Sequence, residues 1–427
     1  MVKHKFGFWS IVLLGINSII GSGIFLLPNK AYALSGTFSL FVILFDAFLA
    51  ISMALCFAEL SGLFKRNGGP YIYARAAFGN FIGFEVGFMK SAISIIAWAA
   101  MSNGFATALS AVVPAVAEPF WKNVVIVTLM GSLGVMNILG VRISKIVNNI
   151  VTVGKLFPLI IFIAVGIFFI HGENYTPMIP TGELGENFSF GAAALLIFYA
   201  FTGFEAIAEA AEDMDDPQRN IPRAIVTVMA TVSSFYLLIQ AVSIGVLGAS
   251  LADTTTPIST AAGIFLGPIG QMMVTAGTLV SIGGINMASS FLTPRVIVAI
   301  ADDKMLPPIF NRYSRWGTPY VAILFATIIG IIIALSGSFT TLAAISVVSR
   351  FAQYLPTCLA VIVLRKKNPE VRSSLRVPFG PIIPVISILV SIWLLVQSDL
   401  QKIIIGLGGL VIGIPIYFLM KRQYLQD

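Results

Sequence analysis

Charge is what this sequence has least of. Of 427 residues, 11% are charged and 57% are hydrophobic, against roughly 25% charged in a soluble globular domain. So little charge over so long a chain excludes a water-soluble globular protein and leaves the lipid bilayer as solvent for most of the surface. Histidine is confined to His4 and His171, both near segment ends, which argues against a histidine-based metal or catalytic centre. The two cysteines, Cys56 and Cys358, fall in apolar runs, so neither a disulfide framework nor a metal site is suggested. No nucleophile–base pair or metal-ligand cluster shows up in those runs. An enzyme is not expected, and no cofactor is called for. The runs lack the alternation of a lipid-facing barrel, and MVKHKFGFW leads into the first of them without a secretory cleavage site.

What the chain does have is a succession of twelve apolar stretches. They lie near Trp9–Tyr32, Leu40–Phe64, Gly83–Val113, Val124–Leu139, Ile146–Ile170, Phe190–Glu212, Ala224–Leu247, Gln271–Ala301, Tyr320–Gly337, Leu342–Leu364, Ile383–Ser398 and Ile403–Met420. About 20 residues of helix cross the hydrocarbon core, so most qualify outright; the fourth and eleventh are the shortest. The predicted fold class is an all-α integral membrane protein of twelve transmembrane helices, one domain over residues 1–427.

Basic residues give an orientation. With the N-terminus in the cytoplasm, 19 of the 26 Lys and Arg fall in inner loops and termini. Three, Lys30, Lys122 and Lys402, fall outside, and Lys90, Lys155, Arg295 and Arg350 lie within or at the ends of spans. This is a strong positive-inside bias, and it favours an even number of spans with both termini in the cytoplasm. The net charge of +7 is thereby explained by topology, without a nucleic-acid partner.

The first stretch carries "NSIIGSGIF", Asn17 to Phe25. Glycine inside a helix costs roughly 1 kcal/mol against alanine, and serine competes for backbone hydrogen bonds. Small residues also let helices pack closely, so Gly21-Ser22-Gly23 alone leaves packing and helix breaking both open. The sixth stretch, "FYAFTGFEAIAE" from Phe198 to Glu209, has a second interruption at Thr202-Gly203. Interruptions at corresponding places in two halves point to a transporter site. Past the first break a half-helix begins, with free N–H groups and a positive dipole end suited to a carboxylate. Before the second break a half-helix ends, exposing carbonyls suited to an ammonium group. An α-amino acid satisfies both.

The segments "GINSIIGSGIF", "GGPYIYARAAFG", "GKLFPL", "FTGFEA", "DPQRNIPRAI" and "ADDKMLPPIF" together resemble the amino acid–polyamine–organocation superfamily of transporters. The resemblance runs nearly end to end, is carried by no single motif, and is strongest toward bacterial amino acid antiporters and permeases. It implies a leucine-transporter-type 5+5 inverted repeat, with helices 1–5 over about 7–170, helices 6–10 over about 188–365 and two more over about 378–420. Helices 1 and 6 would be discontinuous. It further implies that the N–H groups of Ser22 and Gly23, beside Gly21, hold the substrate carboxylate. The carbonyls of Ile19, Tyr199 and Thr202, around Ala200, would hold the amino group, with the Tyr199 ring as a lid.

For the substrate side chain, the resemblance points to Ala97, Trp98 and Met101 of the third span and to Ile285 of the eighth. Met101 stands where the arginine/agmatine antiporter carries an asparagine, and Ile285 where it carries a second gating tryptophan. None of these carries a charge, which favours small neutral amino acids; helix packing is an equal account of Trp98 or Met101 alone. Transport of acidic or cationic amino acids or of polyamines is the alternative, with a membrane sensor or a channel further off.

Lys155 lies near mid-depth of its span, too far in to snorkel comfortably. The resemblance places it at the sodium position of sodium-coupled relatives, implying sodium-independent exchange or proton-coupled uptake, with Ser289 among its expected partners. Arg350 lies nine residues into the tenth span, for which three roles are open. It pairs with Glu205, Glu209 or Glu85, it is a vestibule charge, or it is a ligand for an acidic substrate; pairing is favoured. Glu205 and Glu209 lie one turn apart and share a face. The partners expected are a small-molecule amino acid and the bilayer, for a monomer or homodimer in the cytoplasmic membrane.

Overall fold

The apolar stretches fold as helices because in lipid each backbone N–H and C=O must be satisfied within its own segment. The structure, a computed structural model, describes residues 7–64, 69–140, 145–180, 183–186, 188–209, 214–367, 373 and 375–424. Among them no β-strand occurs. Eight helices are long and apolar enough to cross a membrane, and four more apolar helices are shorter. Of the basic residues that set the orientation, Lys3, Lys5, Lys65, Arg66, Arg142 and Arg372 lie outside the described residues.

The first apolar stretch divides in three: α1 (Phe8–Ile19), α2 (Ser22–Leu26) and α3 (Pro28–Ser35). Ile20 is extended at φ −70, ψ 99 and Gly21 sits at φ −134, ψ −146, so the helix stops at the glycine–serine motif and restarts past it. There follow α4 (Ser39–Ser61), α5 (Pro70–Phe78), α6 (Asn80–Leu109), α7 (Pro119–Ile138), α8 (Lys145–Gly166) and the one-turn α9 (Glu183–Glu186). The sixth stretch is split into α10 (Phe190–Phe201) and α11 (Glu205–Glu209). Between them Thr202 is extended and Gly203 takes φ +114, a conformation that glycine adopts without a Cβ penalty. The chain closes with α12 (Pro217–Leu247), α13 (Pro257–Asp302), α14 (Tyr320–Leu335), α15 (Phe339–Lys367), α16 (Ile382–Val396) and α17 (Leu400–Tyr424).

Two boundaries differ from the sequence expectation for identifiable reasons. A 46-residue α13 would be about 69 Å long, over twice the hydrocarbon thickness. Gly267, at φ +66, breaks it in two, and only the part beyond Pro268 corresponds to the stretch predicted from Gln271. The short α5 carries "PYIYARAAF" between two spans, where a search for long apolar runs finds nothing.

α4 packs along α12, α6 along α13 and α15, and α8 along α13. The α8–α13 seam is built on small residues: a side chain at Gly277 would meet the Pro158 ring at 2.5 Å, and Gly154 faces Val280. Inside this frame lie α1, α2, α10 and α11, with α2 buried along its whole length. Cys56 and Cys358 are both free and buried.

Candidate functional site: two helix breaks held by buried charges

The breaks face each other. A side chain on Gly23 would lie 2.7 Å from Cα and Cβ of Ala200, so α2 meets α10 at a distance only glycine permits. The Ser22 and Tyr199 hydroxyls are 3.1 Å apart, and the Tyr199 ring packs edge-on against Phe339, centroids 5.8 Å apart. Gly21 faces Ile285, whose Cδ1 would be 2.8 Å from an added Cβ, and Gly104 of α6 faces Ser22 and the Phe339 ring at 3.2 and 3.3 Å. The walls around Ser22 are thus glycine, aromatic and aliphatic.

Each break exposes backbone groups, and the protein satisfies some of them with charge. Lys155, fully buried on α8, donates to the carbonyls of Asn17 at 2.7 Å and Ile20 at 2.8 Å. These are end carbonyls of α1, where a helix dipole favours a cation. On the other side, Glu205 Oε2 accepts from the Gly203 N–H at 3.0 Å and from the Tyr354 hydroxyl at 2.9 Å. Glu205 Oε1 pairs with Arg350 Nη1, and both side chains are less than one-tenth exposed. Phe57, Phe204 and Tyr354 close over this pair, Tyr354 stacking on Phe204 with centroids 5.3 Å apart and Phe57 edge-on to both.

The carbonyls nearest the seat are attended by hydroxyls. Tyr236 of α12 donates to Ala200 O at 2.9 Å and approaches Ile19 O at 3.3 Å. Tyr199 O accepts from the N–H of Thr202 at 3.2 Å and its hydroxyl at 2.8 Å. Tyr199 O thus has both lone pairs in use, whereas Ile19 O, approached by Tyr236 alone, keeps one to offer. The leading N–H groups of α2 have no partner within their helix.

Several expected placements change. Ser289 does not reach Lys155; its hydroxyl points at Met101 Sδ, 3.8 Å away. The α8-facing stripe of α13 runs through Gly277, Val280 and Gly284, and five further residues turn Ser289 about 140° away from it. Trp98 is fully buried and lies beside Gly330 of α14, 3.6 Å from where its Cβ would be. Ring packing against α14 is therefore what the structure gives it; Ala97, also buried, precedes it on α6. Glu85 is no partner of Arg350: its carboxylate packs against Gly413 of α17. The side chain of Glu209 lies outside the described residues. Residues the sequence reading passed over are Tyr236, Tyr354, Phe339 and Asn286, the last 2.7 Å from the Ser102 hydroxyl. An aromatic or amide in an apolar span has no signature until its backbone or side-chain partner is known. Among the described residues no cluster of His, Cys, Asp and Glu is suited to a metal.

The described residues are helical, with two interrupted helices whose breaks meet at Ser22 and Tyr199, and paired interruptions of this kind are a feature of transporters. The profile of the amino acid permease family matches residues 6–416, and the chain belongs to that family, within the amino acid–polyamine–organocation superfamily. A transporter of Mycobacterium tuberculosis (strain ATCC 25618 / H37Rv), described as uncharacterized, is 34% identical over 97% of this chain and 91% of its own length. Two Bacillus subtilis (strain 168) proteins are also similar. The methylthioribose transporter is 27% identical over 97% of this chain and 93% of its own, and the branched-chain amino acid permease BcaP 29% over 99% and 94%. The protein is a multi-pass membrane protein of a transporter family.

Proposed function

We propose that this protein is a sodium-independent secondary transporter of small neutral amino acids, working by alternating access in the cytoplasmic membrane. In this reading the eight long and four shorter apolar helices form twelve spans, ten of them in a 5+5 inverted repeat, with both termini in the cytoplasm. The observation that carries it is the pair of facing breaks, joined at Ser22 and Tyr199. The open N-terminus of α2 offers donors to a carboxylate, and the ends of α1 and α10 offer acceptors to an ammonium group. Gly21, Gly104, Met101, Ile285 and Phe339 would surround the side chain, and none can neutralise a charge. The pairing of Arg350 with Glu205 speaks against an acidic substrate, because the guanidinium is already matched. Lys155 at the end of α1 supports sodium independence, as its ammonium fills the cation's role there.

The test is counterflow of radiolabelled L-valine and L-serine in liposomes holding the purified protein, competed by the common amino acids, their methyl esters, polyamines and methylthioribose. Short neutral amino acids are expected to compete, and esters and amines to fail, since the carboxylate contact is worth about 1.5–3 kcal/mol. Competition by polyamines or methylthioribose alone would overturn the substrate class.

A further inference from the structure

Among the described residues, two carboxyl groups in the membrane interior have buried oxygens without a hydrogen-bond partner, Asp46 and Glu85. Asp46 is the more enclosed, with 0% exposure, about a third of the way along α4. Glu85 sits in the α6–α17 seam against Gly413, away from the broken helices. Asp46 lies on a helix that packs along both α10 and α12, the two elements that build the second side of the seat.

The register fixes what faces it. Ser39, the first residue of α4, accepts from Gln240 Nε2 at 2.9 Å, and Gln240 lies near the far end of α12. The two helices pack along their length and therefore run antiparallel. Seven residues onward on α4 and seven back on α12 return to the same level of the packed pair, which sets Asp46 at the level of Ser233. The Ser233 hydroxyl is also buried and without a partner, and no hydrogen bond joins the two in this structure. Three residues beyond Ser233 is Tyr236, whose hydroxyl donates to Ala200 O and lies 3.3 Å from Ile19 O at the two breaks.

Among the described residues, no cation is paired with Asp46. On α4 itself Glu59 is held by Arg365, and Cys56 is the remaining titratable group. From α15, Arg350 and Tyr354 go to Glu205, Arg365 to Glu59 and Lys367 to Ala77 O, while Lys366 is exposed and Cys358 is free and buried. From α12, Tyr236 is committed and Arg219 and Arg223 lie in its first turns; from α10 there is only Tyr199, bonded to Ser22. α3 brings exposed Lys30 and Tyr32, α11 brings Glu205 and Glu209, and α16 has no titratable residue. An ionised carboxyl with neither counter-ion nor donor is costly in such apolar surroundings.

We propose that Asp46 is the proton-binding carboxyl of the transport cycle, so that each amino acid moves inward with one proton. The carboxylate takes H⁺ from the outer solution to become the acid and returns it to the inner solution as the carboxylate. No other bond forms or breaks. The acid lets α4 and α12 close at the Ser233 level; the ionised form requires that seam to open to water, and the motion reaches the seat through Tyr236. The proposal rests on the transport reading above and adds its driving ion.

The test uses the full chain in liposomes with an entrapped pH dye and radiolabelled L-valine and L-serine. With acid outside, the wild type should accumulate label and acidify the lumen only when substrate is present. Asp46→Asn should keep counterflow exchange within about threefold of wild type while gradient-driven accumulation falls at least tenfold and substrate-dependent acidification is lost. Glu85→Gln should retain both. Wild type that exchanges label without moving protons, or Asp46→Asn that still accumulates, overturns the proposal. Wild type with no counterflow of either probe sinks the transport reading instead. Should Asp46→Asn not fold, dicyclohexylcarbodiimide, which attacks protonated carboxyls in apolar surroundings, should modify Asp46 in the wild type and abolish gradient-driven uptake. Asp46 left unmodified under conditions that modify other buried carboxyls counts against the proposal.

Discussion

At the α1–α2 break an ammonium meets carbonyls, Lys155 on Asn17 O and Ile20 O; at the α10–α11 break a carboxylate meets a backbone N–H, Glu205 on Gly203. The two sites are charge opposites. The protein charges sit on the carbonyl end of α1, at Asn17 O and Ile20 O, and on the N–H end of α11 at Gly203. At Ile19 O and the close of α10 the partners are neutral, the Tyr236 and Thr202 hydroxyls and the Thr202 N–H, and the leading N–H groups of α2 have no partner within their helix. Two broken helices in a membrane leave four half-helix ends whose backbone groups must be satisfied. Here permanent charges answer for two, which leaves a zwitterion to answer for the others.

The largest effect is expected at the second break. Arg350→Leu would leave Glu205 as a buried carboxylate without its counter-ion, and losing one member of such a pair costs about 3–5 kcal/mol. Thermal unfolding in detergent should show that loss. Adding Glu205→Gln should recover a large part of it, because the stranded charge is gone. If the double variant is no more stable than Arg350→Leu alone, the pair is not the element that holds α15 to α11.

Next comes the first break. Lys155→Ala would strand two buried carbonyls, at about 1–3 kcal/mol for each unsatisfied group. The seat residues stay in place but the end of α1 is no longer braced, so transport rate should fall more than binding. Replacing sodium by choline should leave wild-type uptake unchanged. A sodium requirement would remove Lys155 from the cation's role, and an alanine variant of normal rate would reduce it to a packing residue.

Gly23→Val tests how closely the two breaks must meet. Its Cβ would stand 2.7 Å from the Ala200 backbone, and overpacking of this kind typically costs about 1–3 kcal/mol. The variant should insert yet bind no amino acid in equilibrium dialysis of the purified protein. The strain arises from α2 meeting α10 as much as from the open N-terminus, so Gly23→Ala should already weaken binding. Normal affinity in Gly23→Val would show that α2 approaches α10 without serving the substrate.

How much of this was legible in the sequence follows the same division. The places where helical geometry is interrupted are written in Gly21-Ser22-Gly23 and Thr202-Gly203, since glycine is the residue that permits such backbone at little steric penalty. The depth of Lys155 could be counted along an apolar run, but not its acceptors, because Asn17 O and Ile20 O are backbone atoms that every residue possesses. Arg350 and Glu205 are 145 residues apart, and only the fold decides among the acidic residues on offer. Trp98 was ambiguous for a physical reason: α6 packs against α13, α14, α15 and α17, so it has no polar face to mark which side is the pocket. Asp46 escaped notice because topology is read from Lys and Arg, and one aspartate amid "ILFDAFLA" disturbs that count not at all.

The smallest expected effect isolates the contact between the breaks. The Ser22 and Tyr199 hydroxyls, 3.1 Å apart, form a neutral hydrogen bond worth about 0.5–1.5 kcal/mol. Tyr199→Phe removes that bond but keeps the ring, which still meets Phe339 edge-on and so still covers the seat. Tyr199→Ala removes both. Binding of the preferred substrate should therefore weaken less than about tenfold in Tyr199→Phe and much further in Tyr199→Ala. Ser22→Ala takes away the same hydrogen bond from the other side while leaving its backbone N–H in place. The Ser22→Ala, Tyr199→Phe double variant should consequently be little worse than either single one, with a coupling close to the value of the one bond they share. Equilibrium binding on the four proteins of that cycle is the measurement. Fully additive losses would mean that each hydroxyl contacts the substrate on its own account. The two breaks would then be joined through the bound amino acid, with no direct bond between the helices in the loaded state.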